Sequence, residues 1–138
     1  MPRKPAFKWR EFLKREGTRR ATGFRNAFSG LRRLVISERH FQLHLTAAAC
    51  AVIMAAFLDF SRLEWAILTV TIGLVLVAEG LNSAIERAID TTTPGFHPLA
   101  KAAKDIAAAA VLIAAIISVM VGLLLYGPKL WALLSTWH

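Results

Sequence analysis

The stretch VTIGLVLVAEGLNSAIERAID, Val70 to Asp90, makes two opposed demands within one run. Its first half is apolar, whereas Glu79, Asn82, Ser83, Glu86, Arg87 and Asp90 crowd its second half. No Gly-Pro punctuation separates the halves, so the run reads as one long helix, from about 64 to 90, that is polar on one side at its end. Glu79, Asn82, Glu86 and Asp90 are separated by three, four and four residues, which puts them in one stripe along one face. A lipid-exposed stripe of this kind is very costly. Carboxylates at membrane depth face a protein interior, pair with another group or mark a functional path.

Two further apolar stretches flank this helix. Phe41 to Leu58 is broken only by His44, and Ile106 to Tyr126 carries no charge over about twenty residues, enough to cross a hydrocarbon core of about 30 Å. Spans are therefore expected at about 41–58, 64–90 and 104–126. A tight link, Asp59 to Leu63, joins the first two. A longer one, Thr91 to Ala103, carries Pro94, Gly95 and Pro98 as breakers. Ahead of the first span, Phe24, Ala27, Phe28, Leu31, Leu34 and Val35 recur at helical spacing opposite Arg25, Asn26, Ser29, Arg32 and Arg33. This segment, about 22–39, is expected to lie in the interface plane as an amphipathic surface helix. The fold class is thus an all-α membrane protein of three spans plus a surface helix, with residues 1–21 a basic tail and 22–138 one domain.

Composition agrees. Apolar residues make up 56% of the 138 residues and charged residues 19%, a membrane profile. Twelve of the 17 Lys and Arg lie between Arg3 and Arg39, so the net charge of +8 is an N-terminal property. Beside apolar helices it suggests anionic lipid headgroups, and no aromatic or base-reading pattern accompanies it to suggest nucleic acid. Basic residues near the helix ends put the N-terminus and second loop on the cytoplasmic side and the first loop and C-terminus outside, where Trp65, Tyr126, Trp131 and Trp137 would form an aromatic belt. The lone Cys50 offers neither a disulfide framework nor a thiolate metal site. His40, His44 and His97 lack metal-ligand spacing. No apolar run follows the basic N-terminus until Phe41, unlike a cleaved signal peptide.

Chemistry can reside only on the helices. Glu79 and Glu86 lie about 10 Å apart along the axis. One carboxylate at the membrane edge can reach a lipid hydroxyl, and one two turns further out a metal-bound phosphate. That would suffice for phosphoryl transfer, which needs a positioned acceptor oxygen and divalent cations. Lys101, Lys104 and Asp105 near the start of the last span suit phosphate binding. The plainer account is a stripe that only pairs with Arg87, Lys104 or the N-terminal arginines, with Lys104 an interface anchor and Asp105 a first-turn acid. A small transporter or proton relay is a competing class, as is a membrane scaffold recruiting a partner through its tail. The first of these needs polar residues deep in two helices, and the outer spans are almost wholly apolar. No GxxxxGKS loop, GxSxG elbow or HExxH occurs, so an ATP-using enzyme here is not built on a common nucleotide fold.

Three blocks together resemble the bacterial integral-membrane diacylglycerol kinase and undecaprenol kinase family, over roughly Thr22 to Lys129. AEGLNSAIERAID, Ala78 to Asp90, resembles its E-x-x-N-S/T-A-I-E-x-x-x-D signature. FHPLAKAAKDIAAAAVL, Phe96 to Leu112, resembles its second block, and SERHFQLHL, Ser37 to Leu45, precedes the first span. The resemblance implies a homotrimer in the bacterial inner membrane that transfers the γ-phosphate of ATP, with Mg²⁺, to a lipid hydroxyl. By position, Glu79 would be the general base, and Glu38 and Glu86 would hold Mg²⁺. Asn82 and Asp90 would position the lipid and organise the stripe. Arg19, Asn26, Gly95, Phe96, His97, Lys104 and Asp105 would contact ATP, and Gly30 and Arg32 match the surface-helix pattern. Gly80 departs from the bulkier apolar residue usual there. The ERHFQLH and TTPGFHPLAKAAKD stretches are more similar to the undecaprenol branch, with diacylglycerol the next candidate acceptor. Too few spans are present to shield so many carboxylates within one copy, which independently favours oligomerisation.

Overall fold

The computed structural model describes the backbone of residues 9–135 and the side chains of residues 22–135. It is helical throughout: α1 Trp9–Ser37, α2 Arg39–Phe57, α3 Arg62–Thr92 and α4 Pro98–Ser135. The chain divides at Ser37 into two compact units.

In the first unit, α1 begins at Trp9 and continues through part of the expected tail. Basic side chains do not oppose a helix, and no proline separates Trp9 from the amphipathic run, so charge alone was a poor boundary marker. Phe24, Phe28, Leu31 and Val35 are exposed along α1.

The second unit holds three helices long and apolar enough to cross a membrane: α2, α3 and α4. Glu38 is extended, with φ −100° and ψ 108°, and its carbonyl accepts from Gln42 at 3.0 Å as α2 begins. At the other end Leu58 closes α2 onto Ala55, and Asp59 adopts the left-handed φ of 51° that lets the chain reverse in so few residues. Ser61 then starts α3 with a capping box: its hydroxyl accepts from the Glu64 N–H at 3.3 Å while Glu64 accepts from the Ser61 N–H at 2.7 Å. Asp59–Leu63 is therefore a tight hairpin between antiparallel helices. The α3–α4 connection is set by Gly95, at φ 91°, and by Pro98 at the first helical position, where a missing N–H costs nothing. Pro98, expected as a breaker, opens the helix. α4 starts six residues before the expected span and runs past it through Pro128, because the apolar run marks where the membrane is and not where the helix stops.

α3 packs extensively on α4 and less on α2. Its inward face buries Leu68, Val75, Glu79, Asn82 and Ser83. The core cluster sits at the hairpin end: Ala55, Phe60, Leu68, Leu125 and Tyr126, with Trp65 packed against it. Phe60 stacks obliquely on Tyr126, centroids 4.9 Å apart, and meets Trp65 edge-on at 6.1 Å. The Tyr126 hydroxyl donates to the Ala51 carbonyl at 2.8 Å, tying α4 to α2. Lys129 completes the end: Nζ lies 3.2 Å from Glu64, donates to the Asp59 carbonyl at 3.1 Å, and stands 5.2 Å above the Phe60 ring.

The opposite face of α3 is bare. Leu63, Ile67, Val70, Leu74, Val77, Leu81, Ala84 and Ala88 follow an unbroken four-three spacing, and all are exposed. That is the spacing of the seam of a left-handed helix pair or bundle.

Candidate functional site

The site is built on the inward face of α3 at the end away from the hairpin. Helical spacing carries Leu68 and Val75 into Glu79, then Asn82 and Ser83, so the face changes from apolar to polar without leaving the bundle interior. Glu79 is only 3% exposed, and no side-chain hydrogen bond or ion pair joins it to another described residue. A buried carboxylate without a partner is expensive, and such groups persist where chemistry needs them. Asn82 is 8% exposed; its amide Nδ2 donates to Glu86 Oε1 at 3.3 Å, while its Oδ1 is buried with no partner. Glu86, one turn on, is half-buried.

Around this centre the charges pair across long sequence separations. Arg87 donates from Nε to Glu38 Oε1 at 2.9 Å and again from a terminal guanidinium nitrogen. The break between α1 and α2 is thereby tied to the residue following Glu86. Lys104 of α4 bridges to Asp90 of α3 at 2.7 Å, and Lys101 to Asp105 at 2.6 Å within α4. These pairs are substantially exposed, and exposed pairs contribute little stability individually. The Glu38–Arg87 and Asp90–Lys104 pairs fix Glu38 and Lys104 against the turns of α3 beyond Asn82.

The remaining expected residues fall as follows. Gly95, Phe96 and His97 form the exposed α3–α4 connection, with the His97 carbonyl accepting from the Lys101 N–H at 3.0 Å. Lys104 and Asp105 lie about two turns inside α4, so the free N–H groups of that helix start near Pro98, and Asp105 is not a first-turn acid. Asn26, Gly30 and Arg32 are exposed on α1, in the other unit. The Arg19 side chain lies outside the described residues, as do Trp137 and residues 1–8. Sequence reasoning assigned nothing to Ser83, which is buried beside Glu79 and Asn82 on the same face. Its spacing, four residues from Glu79, was the available signal.

The donors present are hard oxygens: the Glu86 carboxylate, the second oxygen of Glu38 and the orphaned Asn82 Oδ1. Among the described residues no three His, Cys, Asp or Glu side chains gather as a metal cage. Magnesium does not require one, since it is held by one or two carboxylates together with substrate phosphates and water. The donor set fits that ion.

A three-span bundle whose inward face carries the buried Glu79 and Asn82, with lysine and arginine paired to acids in the turns beyond them, defines an integral membrane protein with a polar, charged site at one end. The family described as prokaryotic diacylglycerol kinase matches residues 25–126. The chain is 48% identical over 108 residues to the undecaprenol kinase of Bacillus subtilis, covering 78% of this chain and 87% of that protein. It is 38% identical over 101 residues to the diacylglycerol kinase of Escherichia coli, covering 73% and 81% respectively. Against the diacylglycerol kinase of a Synechocystis species it is 38% identical over 112 residues, 80% of this chain but only 64% of that relative. The chain belongs to the prokaryotic diacylglycerol kinase family and is a lipid kinase. Family membership removes the transporter and scaffold alternatives as the main activity.

Proposed function

We propose that the chain transfers the γ-phosphoryl group of ATP to the hydroxyl of a membrane lipid alcohol, undecaprenol in preference to diacylglycerol, at the cytoplasmic face of a bacterial inner membrane. The observation that carries this is Glu79: buried, unpartnered, and continuous with an apolar face through which a lipid hydroxyl can arrive. Its carboxylate accepts the hydroxyl proton as the lipid oxygen attacks the γ-phosphorus; the bond to the β,γ-bridging oxygen breaks and ADP leaves. Asn82, fixed by Glu86, orients the acceptor. Glu38 and Glu86 would hold Mg²⁺, which when bound neutralises phosphate charge. Arg87 fixes Glu38, and Asp90 fixes Lys104 for the nucleotide phosphates. Asp105, His97, Phe96 and Gly95 would frame the nucleotide beside it, and the family resemblance assigns further nucleotide contacts to Arg19 and Asn26. Gly30 and Arg32 belong to the surface helix, whose exposed apolar side would enter the acyl region with its arginines among anionic headgroups.

The bare four-three seam of α3 supports self-association, and three copies meeting there would form the homotrimer. The greater identity to the undecaprenol kinase supports the choice of acceptor. The test is purified protein with labelled ATP, Mg²⁺ and a panel of undecaprenol, diacylglycerol and ceramide. Undecaprenol should be labelled fastest. Equal or faster labelling of diacylglycerol would reverse the preference, and labelling of none would overturn the kinase mechanism.

A further inference from the structure

A crevice of about 140 Å³ lies among α2, α3 and α4. On α3 it occupies the face that leads into Glu79: Leu68, Ile72 and Val75 line it, and Glu79 follows Val75 by one helical turn. From Leu68 to Val75 it extends about 10 Å along the axis. Its walls on α2 and α4 are small residues, Ala47, Ala48, Ala51 and Gly122. At the far end Tyr126, held by the Ala51 carbonyl and packed on Phe60, closes it toward the hairpin.

His44 on α2 brings one imidazole to the lining, and the three hydroxyls there make little demand on an occupant. The Thr71 hydroxyl donates to the Ile67 carbonyl at 2.8 Å, Ser118 to Ala115 at 2.8 Å and Tyr126 to Ala51 at 2.8 Å. Each hydroxyl proton is already spent on backbone, and buried water needs two to four polar partners. Hydrocarbon is the better tenant. A second apolar groove of about 360 Å³ lies between α3 and α4 beside Asn82, but Leu74, Val77 and Leu81, which line it, belong to the exposed four-three seam and suit a neighbouring helix instead.

Size then limits the occupant. A dry protein cavity of about 150 Å³ takes up a benzene-sized guest, about six carbons, so this crevice of about 140 Å³ holds one short chain segment. Two acyl chains side by side do not fit. Resting on the lipid-kinase mechanism above, we propose that the crevice seats the hydrocarbon adjoining the acceptor hydroxyl, and that its single-chain width favours a prenyl alcohol over a two-chain glyceride.

Gly122 offers a clean test. A Cβ added there meets no heavy atom within 4 Å, so a side chain can begin at Gly122, in the lining, without a clash at its first carbon; Gly127→Leu, whose Cβ is equally unobstructed and which lies outside the lining, is the control. The full chain in lipid–detergent micelles is assayed with undecaprenol, a short prenyl alcohol and dioleoylglycerol, alongside melting temperature and oligomer size. Gly122→Leu and Ala48→Leu should raise the KM for both prenyl alcohols by about tenfold, as expected for altering an apolar pocket by a few methylenes, with a smaller change for the glyceride and none in the KM for ATP. A diazirine-bearing prenyl alcohol, whose labelling does not require turnover, should mark the α2 and α4 segments around Ala48 and Val121. Unchanged prenyl-alcohol KM in both variants, or label confined to Leu81 and Ile106 of the α3–α4 groove, overturns the crevice while leaving the kinase mechanism standing. Failure of the unaltered chain to phosphorylate any lipid overturns both.

Discussion

At the hairpin end of the bundle Ser61, Glu64, Tyr126 and Lys129 all have partners, and three aromatic rings pack over them. At the acidic end, the Asn82 carbonyl oxygen is buried without any, and Glu79, 3% exposed, makes no hydrogen bond or ion pair with another described residue. The same helix, α3, supplies both ends. Satisfied polar groups hold helices together, whereas unsatisfied buried ones are costly and are kept for what they can do. The difference teaches that this small bundle separates its two tasks along one axis: assembly is secured at one end so that the other can keep Glu79 and the Asn82 carbonyl free of structural partners.

The largest effect on turnover should come from the acidic end, with no loss of assembly. Glu79→Gln should lower kcat by about 10²- to 10⁴-fold, the usual contribution of a general base, while size-exclusion in detergent shows the same oligomer. A normal rate in that variant would break the comparison outright. Next, Lys104→Met should raise the KM for ATP by about tenfold with little change in the KM for lipid, because the lost ammonium is a phosphate contact and not a lipid one. A change in lipid KM alone would move Lys104 out of the nucleotide site.

The hairpin end should answer with stability instead of rate. Ser61→Ala removes the α3 cap and should cost about 1 kcal/mol in denaturant or steric-trapping measurements, with turnover nearly unchanged. Smallest is Tyr126→Phe, which loses one hydrogen bond and should cost about 0.6 kcal/mol, the average for such bonds within membranes. A large loss of turnover in either variant, without unfolding, would show that the two ends are coupled.

The spans and the acidic stripe were legible in the sequence because both are periodic: apolar runs fix the crossings, and three-four spacing fixes which acids share a face. The inward position of Glu79, Asn82 and Ser83 follows from the same periodicity. Contacts between residues distant in the chain have no such signature. Glu38 with Arg87, and Asp90 with Lys104, depend on how α2 and α4 settle on α3. Lys129 was visible only as a scattered cation, although it binds three features of the hairpin at once. The helix ends were misjudged for a related reason. Pro98 acts according to its position, at the first residue of α4, and a breaker count does not distinguish that from a helix interior.

The three spanning helices differ greatly in length: 19 residues in α2, 31 in α3 and 38 in α4, or about 28, 46 and 57 Å. The longer two can protrude or tilt in a bilayer of any ordinary thickness. α2 has no such slack, since extended Glu38 bounds it on one side and the Asp59 reversal on the other. A hydrocarbon layer thicker than α2 must thin around the protein or draw the Glu38–Arg87 pair inward, at a cost of fractions of a kcal/mol per Å. The shortest helix is thus a thickness gauge coupled to the acidic end, and turnover should be greatest in membranes whose hydrocarbon depth matches it.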